Sequence, residues 1–317
     1  MRYHTEFMET NYPWLSVSGF GSHIKSTQTM LIIQKKKGLE EYTLESVKNL
    51  LIVGGHTISS TTITQLIKKG AIISFFEPDG SPVGFISPFG YHNDPEFSHA
   101  QQSVSRHRFA TVIAQGALKS RLVAINRLQE KQNVFLFYEG ESDFLHKSLD
   151  EMAYLIKLDE IRRLHRMTSD MYYEIMSRNI NPDFEFRRRT LRPQIDPINA
   201  MLSFGYAMLF GNCVVSLVGA RLDPDIGLLH EGNGCLVHDI AESMKSEMID
   251  DAVFRIARES LTSDDFEITQ DRCMLTDELA KKLIKTFHVT IKNNKIDEQV
   301  SSLSNAIRKN VEFKALY

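Results

Sequence analysis

The chain reads as an α+β protein of two domains: a small N-terminal β-sheet domain with one helix, then a larger all-α C-terminal domain. Three observations predict this. Residues 1–90 hold short runs of β-branched and aromatic residues cut by Gly, Asp and Pro. Residues 98–317 hold long runs with apolar residues at helical spacing. The stretch between them, SPFGYHNDPEF at 87–97, carries two prolines, a glycine and an Asn-Asp pair, which predicts a linker over 91–97. With 317 residues, 42% of them hydrophobic, the chain is long enough for two cores of ordinary size.

In chain order, WLSVSGFGSHI, TMLIIQKKK, VKNLLIVGG, AIISFFEPDG and SPVGFISP are the expected strands. The lysines at 35–37 fall in a β-turn and are expected to be solvated. One helix interrupts the series: SSTTITQLIKKGA offers Ser59 or Ser60 as N-cap, Ile63, Leu66 and Ile67 as its apolar stripe, and Gly70 as its stop. After the linker, SHAQQSVSRHRFATVIAQGALKSRLVAINRLQEKQ has no proline and reads as a long helical stretch. Further helices follow in LHKSLDEMAYLIKL, IRRLHRMTSDMYYEIMSR, CLVHDIAESMKSEMIDDAVFRIARE, TDELAKKLIKTF and DEQVSSLSNAIRKNV. DPINAMLSFGYAMLFGNCVVSLVGA opens on Asp196-Pro197, an N-cap with a first-turn proline.

Composition removes several function classes. No uninterrupted apolar stretch of about 18 residues stands out, so no membrane span is expected. The N-terminus lacks the apolar centre of a signal peptide. Three widely spaced cysteines, Cys213, Cys235 and Cys273, give neither a disulfide framework nor a Cys-rich zinc site, and a reducing cytoplasm fits best. The net charge of −3 argues against a uniformly basic nucleic-acid binder, but local patches decide binding. One such patch is evident: residues 161–192 hold eight arginines against four acids, a net +4. RRRTLRP reads as an exposed loop between helices, with Arg187, Arg188, Arg189 and Arg192, joined by Arg166 upstream, as phosphate contacts. The competing reading is a solvated face with local salt bridges. Tyr172 and Tyr173 are candidates for stacking on DNA, although helical spacing puts one of them in the core.

The stretch RLDPDIGLLHEGNGCLVHDIAESMK, 221–245, carries the densest chemistry. Asp-Pro at 223–224 suggests a short helix, with His230 at or just past its C-terminus, where imidazole is favoured. On the next helix Asp239 and Glu242 lie i, i+3, and His238 and Glu242 lie i, i+4. Acids beside apolar helical positions need compensation, from a divalent cation or from a basic partner. The bland alternative puts Asp239 on a solvated edge and pairs Glu242 with Lys245 or Arg255.

These motifs resemble a known family. DPINAMLSFGYAML, LVGARLDPDIGLLH and CLVHDIAESMK are similar to the signature of the CRISPR adaptation integrases, in which a NALLSYGYALL-type helix precedes GLDPxIGFLH and a DLMEEF-like or DIAD-like helix start. The likeness extends through SGFGSHIKSTQTMLIIQ and VGGHTISSTTITQLIKKGAIISFFEPDGSPVGFISP, so it covers nearly the whole chain. The resemblance implies a cytoplasmic, metal-dependent DNA endonuclease and integrase, using Mg2+ or Mn2+. Its activity would be to insert short foreign DNA into a CRISPR array. It implies a homodimer built through the β domain, double-stranded and branched DNA as substrate, and a small ferredoxin-like CRISPR-associated partner protein. His230 matches the metal-binding histidine, Glu242 the acidic ligand, and Asp239 the neighbouring acid at or near the metal. The third ligand is expected to be a glutamate in a motif like IEGxAAxxYW. Here LHRMTSDMYY, 164–173, matches that motif and places His165 at the glutamate position. Glu139 reads as a loop acid, and Glu160 would serve only after a register shift. Imidazole in place of carboxylate removes a negative charge and favours transition metals over magnesium. Two other readings stay open: a non-catalytic DNA-binding scaffold of the same family with His165 marking a decayed site, and a helical metalloprotein acting on a small substrate.

Overall fold

A computed structural model describes residues 10–36, 38–91, 95–190 and 194–317. Ten strands and ten α-helices can be traced among these residues. The N-terminal part contains two four-stranded sheets. The first, in the order β1-β5-β7-β8, pairs β1 (Trp14–Ser18), β5 (Asn49–Val53) and β7 (Ile72–Phe76) in parallel, with β8 (Pro82–Ile86) antiparallel at the edge. The second, in the order β4-β3-β2-β6, contains β2 (His23–Ser26), β3 (Met30–Lys35), β4 (Gly38–Thr43) and the two-residue β6 (Thr57–Ile58). Helix α1 (Ser60–Lys68) is the crossover from β5 to the parallel β7. Its N-cap is Ser59, whose hydroxyl accepts from the Thr62 amide, and Gly70 past its end takes φ +79°.

The pattern of β5 explains the architecture. All five residues of NLLIV are buried, which an alternating one-faced strand does not do. Leu50 and Ile52 point into a core formed with Val17, Ile24, Leu31 and Leu66. Leu51 and Val53 point the other way and join Trp14 and Phe76 in the large core of the helical part. The first sheet therefore has both faces covered, and the second half of the chain covers one of them. Polar contacts reinforce the junction. Asp297 accepts hydrogen bonds from Trp14 Nε1 (2.9 Å) and the Ser216 hydroxyl (2.6 Å), and Asn49 Nδ2 donates to the Gly219 carbonyl.

The helical part comprises α2 (Pro95–Ser103), α3 (Arg106–Gln132), α4 (Glu141–Glu151), α5 (Leu158–Ser177), α6 (Pro197–Gly219), α7 (Cys235–Ala241), α8 (Asp251–Glu259), α9 (Asp277–Thr290) and α10 (Asn293–Lys309). Helix α6 begins as expected: Asp196 accepts from the Asn199 amide, and Pro197 occupies the first turn.

Several expectations need correction. The C-terminal part is not all-α, because β9 (Phe266–Ile268) and β10 (Cys273–Leu275) form a hairpin within it. The linker is shorter than 91–97, since α2 starts at Pro95. The long 98–132 stretch breaks at residues 104–105 into α2 and α3. The single helix expected over 235–259 is α7, a turn, a π-helical turn at Ser246–Asp250, and α8. No helix forms over 223–229; the Asp223 side chain instead accepts from the Asp225 amide, while Gln101 clamps the Asp223 backbone. Contrary to the expectation of no span, helix α6 has the length and apolarity of one, at a mean hydropathy of 1.7, although Asn199, Ser203 and Asn212 interrupt its apolar run. It packs against β1, β5 and the helices α7, α8, α9 and α10, with most of its residues inside the core.

The turn between β7 and β8 rests on α6 through two glycines. A Cβ on Gly211 would lie 1.8 Å from the Asp79 carbonyl oxygen, and Gly80, at φ +89°, sits directly over Gly211. In an open helix, Gly→Ala gains up to about 1 kcal/mol. Here overpacking outweighs that gain, and Gly211→Ala is expected to cost about 1–3 kcal/mol. A denaturant midpoint equal to that of the wild type would show that the turn is not seated on α6.

Candidate metal centre

Three elements bring the expected ligands together. Helix α5 supplies His165 from its buried stripe, the loop after α6 supplies His230, and the residue that ends α7 supplies Glu242. One donor atom from each lies within 4.8 Å of the others. His165 Nε2 is 3.4 Å from Glu242 Oε2, and His230 Nε2 is 3.8 Å from Glu242 Oε1.

Asp239 is fully buried, so the solvated-edge reading fails. It does not point at the other donors. One of its oxygens accepts from the Leu228 and Leu229 amides at 2.6 and 3.1 Å. The other accepts from the His230 amide (2.9 Å) and from His230 Nδ1 (2.7 Å). A buried carboxylate that receives the Nδ1 proton fixes the tautomer and leaves Nε2 with its lone pair facing Glu242, the usual arrangement behind a metal-binding histidine. Asp239 thus shapes the loop and orients His230.

Glu242 is 4% exposed and heavily compensated. Arg121, itself 3% exposed, donates from Nη2 at 2.9 Å, and Lys245 donates to the other oxygen. Burial alone would raise the Glu242 carboxyl. The Lys245 ammonium, the His165 contact and the Arg121 guanidinium outweigh it and hold the carboxyl well below its ordinary range. Burial holds His165 below the usual imidazole value against the pull of Glu242, so the ring is neutral near pH 7. His165 Nδ1 is buried without a hydrogen-bond partner among the described residues. His238, against Phe210 and 5.8 Å from the His230 ring, is lowered by burial and then by Lys245.

Beneath this cluster lies a third buried acid, Asp250. The Tyr206 hydroxyl donates to its Oδ1 at 2.5 Å and shares a 2.6 Å bond with the Tyr173 hydroxyl. Burial raises the Asp250 carboxyl to about 6, against the opposing effects of Tyr206 and Arg121. Both Tyr172 and Tyr173 are core residues, not surface stacking platforms.

The cluster forms the floor of a cavity of about 1030 Å³ whose lining includes Arg162, Arg166, Arg189 and Lys245. Five cations line it against three acids. Arg189 is not a free loop residue. It is half-buried and donates to Asn199 Oδ1 and the Ser203 hydroxyl at 2.8 Å, with its guanidinium 5.3 Å from the Tyr206 ring. Arg187 and Arg188 are exposed, as is Arg166. Arg192 falls outside the described residues. Glu139 and Glu160 are exposed and far from the cluster in role: Glu160 caps α5 by accepting from the Lys157 amide.

Sequence reasoning missed Arg121, Asp250 and Tyr206. Arg121 left a signal: it lies on the same helical stripe as the buried Ala117, Leu118, Ala124 and Ile125, where an unpaired charge is costly. Asp250 left none, because its direction depends on the π-turn.

Chains with this β-then-helical fold form a recognised class of CRISPR-associated protein. The family model described as "CRISPR associated protein Cas1" matches residues 15–288. A Cas1 protein of Methanospirillum hungatei JF-1 is 38% identical over 301 residues, 95% of this chain and 99% of the relative. The chain belongs to the Cas1 family. Solved structures agree on the fold. A casposase bound to integration product superposes at a TM-score of 0.81 with 17% identity, covering 96% of this chain and 99% of that one. A Cas1 protein from Thermotoga maritima does so at 0.71 with 20% identity, covering 93% and 96%.

The titration of Asp250 gives a test of the buried network. Its folded value lies above the unfolded value of about 3.9. The folded state therefore binds the proton more tightly, and this group's contribution to stability falls as pH rises from about 4 through about 6. Asp250→Asn removes that dependence. The difference in Tm, mutant minus wild type, is expected to be more positive at pH 7.5 than at pH 4. A difference independent of pH would mean that Asp250 is not protonated early.

Proposed function

We propose that this chain is a metal-dependent DNA endonuclease and integrase of CRISPR adaptation. Membership of the Cas1 family supports the biological setting. The observation that carries the chemistry is the convergence of His165, His230 and Glu242 on the floor of a cation-lined cavity. The donor set fits a divalent ion. Asp239 anchors His230 through Nδ1 so that Nε2 faces Glu242, His165 Nε2 faces the same carboxylate, and the neighbouring cations hold Glu242 as an anion. Two imidazoles with one carboxylate suit manganese better than magnesium. An ion held there would act as a Lewis acid, activating a DNA 3′-hydroxyl and offsetting charge on the phosphodiester it attacks.

The protein's own groups do the remaining work. Lys245 and Arg162 line the cavity beside the donor cluster, where the phosphodiester would lie. Arg166 lines the wall, Arg189 is braced by α6, and Arg187 and Arg188 extend the basic surface outward. A fixed guanidinium loses less entropy on meeting a phosphate than a free one, so Arg189 is suited to positioning the backbone. By the same reading the chain acts in the cytoplasm as a homodimer. It would work with a small ferredoxin-like partner; in support, one neighbour of the same fold was solved within a partial Cas6-RT-Cas1–Cas2 complex.

A second reading, a DNA-binding scaffold with an impaired centre, is favoured by two observations. His165 stands where a glutamate is expected, and Glu242 is already paired with two cations.

His230→Ala and Glu242→Gln should each abolish metal-dependent cleavage of branched DNA without unfolding the chain. The glutamine variant is preferred because its amide oxygen still accepts from one of the two cations, whereas Glu242→Ala leaves Arg121 with neither acceptor nor countercharge there, at a cost of about 3–5 kcal/mol. Retained, strictly metal-dependent activity in either variant would show that the ligands are misassigned. His165→Glu adds a carboxylate beside Glu242, so magnesium-supported cleavage should rise and the manganese preference should narrow. An inert wild type with an active His165→Glu would establish the scaffold reading, and identical metal responses would place His165 outside the centre.

Arg187→Ala with Arg188→Ala should weaken binding to all DNA sequences and flatten the salt dependence, log K against log salt, by about 2 if each holds one phosphate. An unchanged slope would move the DNA path elsewhere.

A further inference from the structure

The free centre carries no surplus negative charge. Arg121 and Lys245 each pair with one oxygen of Glu242, and Asp239 is taken up by three backbone amides and His230. A dication approaching Glu242 meets Arg121 already bound there. A fixed arginine in that position would repel it. The surroundings of Arg121 show a second place for its charge.

Arg121 uses Nη2 on Glu242, while its Nη1 is buried with no hydrogen-bond partner among the described residues. Asp250 has the complementary defect. Tyr206 satisfies Oδ1, but Oδ2 is buried and has no partner of hydrogen-bond geometry, although the Tyr172 hydroxyl comes near. The guanidinium carbon lies 5.9 Å from the Tyr172 ring, and the charges of Arg121 and Asp250 act on each other. One buried donor and one buried acceptor are thus left unmatched on two residues within reach of each other's charge, each at a cost of about 1–3 kcal/mol. Glu242, which ends α7, and Asp250, which ends the π-turn Ser246–Asp250, both act on the charge that Arg121 brings from α3.

We propose that Arg121 is a movable countercharge for the centre, with Glu242 as its seat in the metal-free protein and Asp250 as its seat once a cation occupies Glu242. The proposal rests on the metal-centre reading above. Arg121 and Asp250 are positioning residues: neither touches DNA or metal, and their effect is on how readily Glu242 is released to a ligand. Moving the guanidinium from Glu242 to Asp250 keeps it buried and paired in both states, which avoids stranding a charge. Tyr206 and Tyr173 hold Asp250 in place as the alternative seat.

The test is a double-mutant cycle read by Mn2+ binding to the full chain at pH 7.5, with free Mn2+ followed by electron paramagnetic resonance. Asp250→Asn should weaken binding by about fivefold or more, as expected for members of one ion-pair network. Arg121→Gln should tighten it. In the double variant the Asp250→Asn penalty should vanish, because there is no guanidinium left to house. Asp250→Asn without effect, or with an equal penalty in both backgrounds, overturns the proposal while leaving the metal reading intact. No Mn2+ binding to the wild type removes the metal reading, and the proposal with it. A second measurement covers the case in which Arg121→Gln does not fold. In wild type labelled with 15N-arginine, saturating Zn2+, a diamagnetic ion suited to two imidazoles and a carboxylate, should shift one buried guanidinium resonance, and Asp250→Asn should suppress that shift. A wild-type spectrum in which saturating Zn2+ moves no buried arginine resonance counts against the proposal.

Discussion

The contact on which the rest of the site depends is the buried ion pair between Arg121 and Glu242. A carboxylate at 4% exposure is tolerable only if its charge is met from several sides, and here three helical segments meet it. Helix α3 brings Arg121, α5 brings His165, and the turn after α7 brings Lys245. Each of these segments must then pack closely, since a shift of about 1 Å would leave charges unpaired in a low-dielectric interior. Buried pairs of this kind seldom add much net stability relative to an apolar core of the same shape. The presence of the Arg121–Glu242 pair in the middle of a helical core accords with the proposed chemistry more than with a gain in stability.

That packing extends to the β part. Sheet β1-β5-β7-β8 lends one face to the core that surrounds α6, and α6 in turn carries Tyr206 to Asp250 and braces Arg189 through Asn199 and Ser203. The Asp297 bonds to Trp14 and Ser216, and the Gly80–Gly211 contact, fix the sheet against the same helix. The N-terminal strands are therefore part of what sets the centre's geometry, although none of their residues lines it.

The sequence made most of the element types legible, because β-branched runs with turn residues and apolar helical spacing are local signals. Ser59 and Asp196 announced their helices by cap chemistry alone. What local signals lacked was context. β4, with the sequence GLEEYT, has no apolar alternation and exists because β3 offers it an edge. The helix suggested by Asp223-Pro224 does not form because Asp223 closes a side-chain turn and Asp239 takes the loop amides that a helix would have used. His165, His230 and Glu242 were recognised through family resemblance, and the structure brings them together. Their neighbours escaped notice: Arg121 showed only as a charge on the buried stripe of a helix more than a hundred residues upstream, and Asp250 lies in a π-turn that helical spacing does not announce.

The charge distribution unites these features. The whole chain is net −3, yet five cations line the cavity against three acids. Before any ligand arrives, the acids at its floor are already neutralised by protein cations. On the proposed function, an ion and a polyanion would have complementary needs at such a site: the ion would add positive charge to the floor, and a DNA phosphate would supply negative charge. A third carboxylate in place of His165 would let the protein bind the ion tightly by itself. With imidazole there, ion and phosphate would be held best together, and control of occupancy would move from the protein toward its substrate.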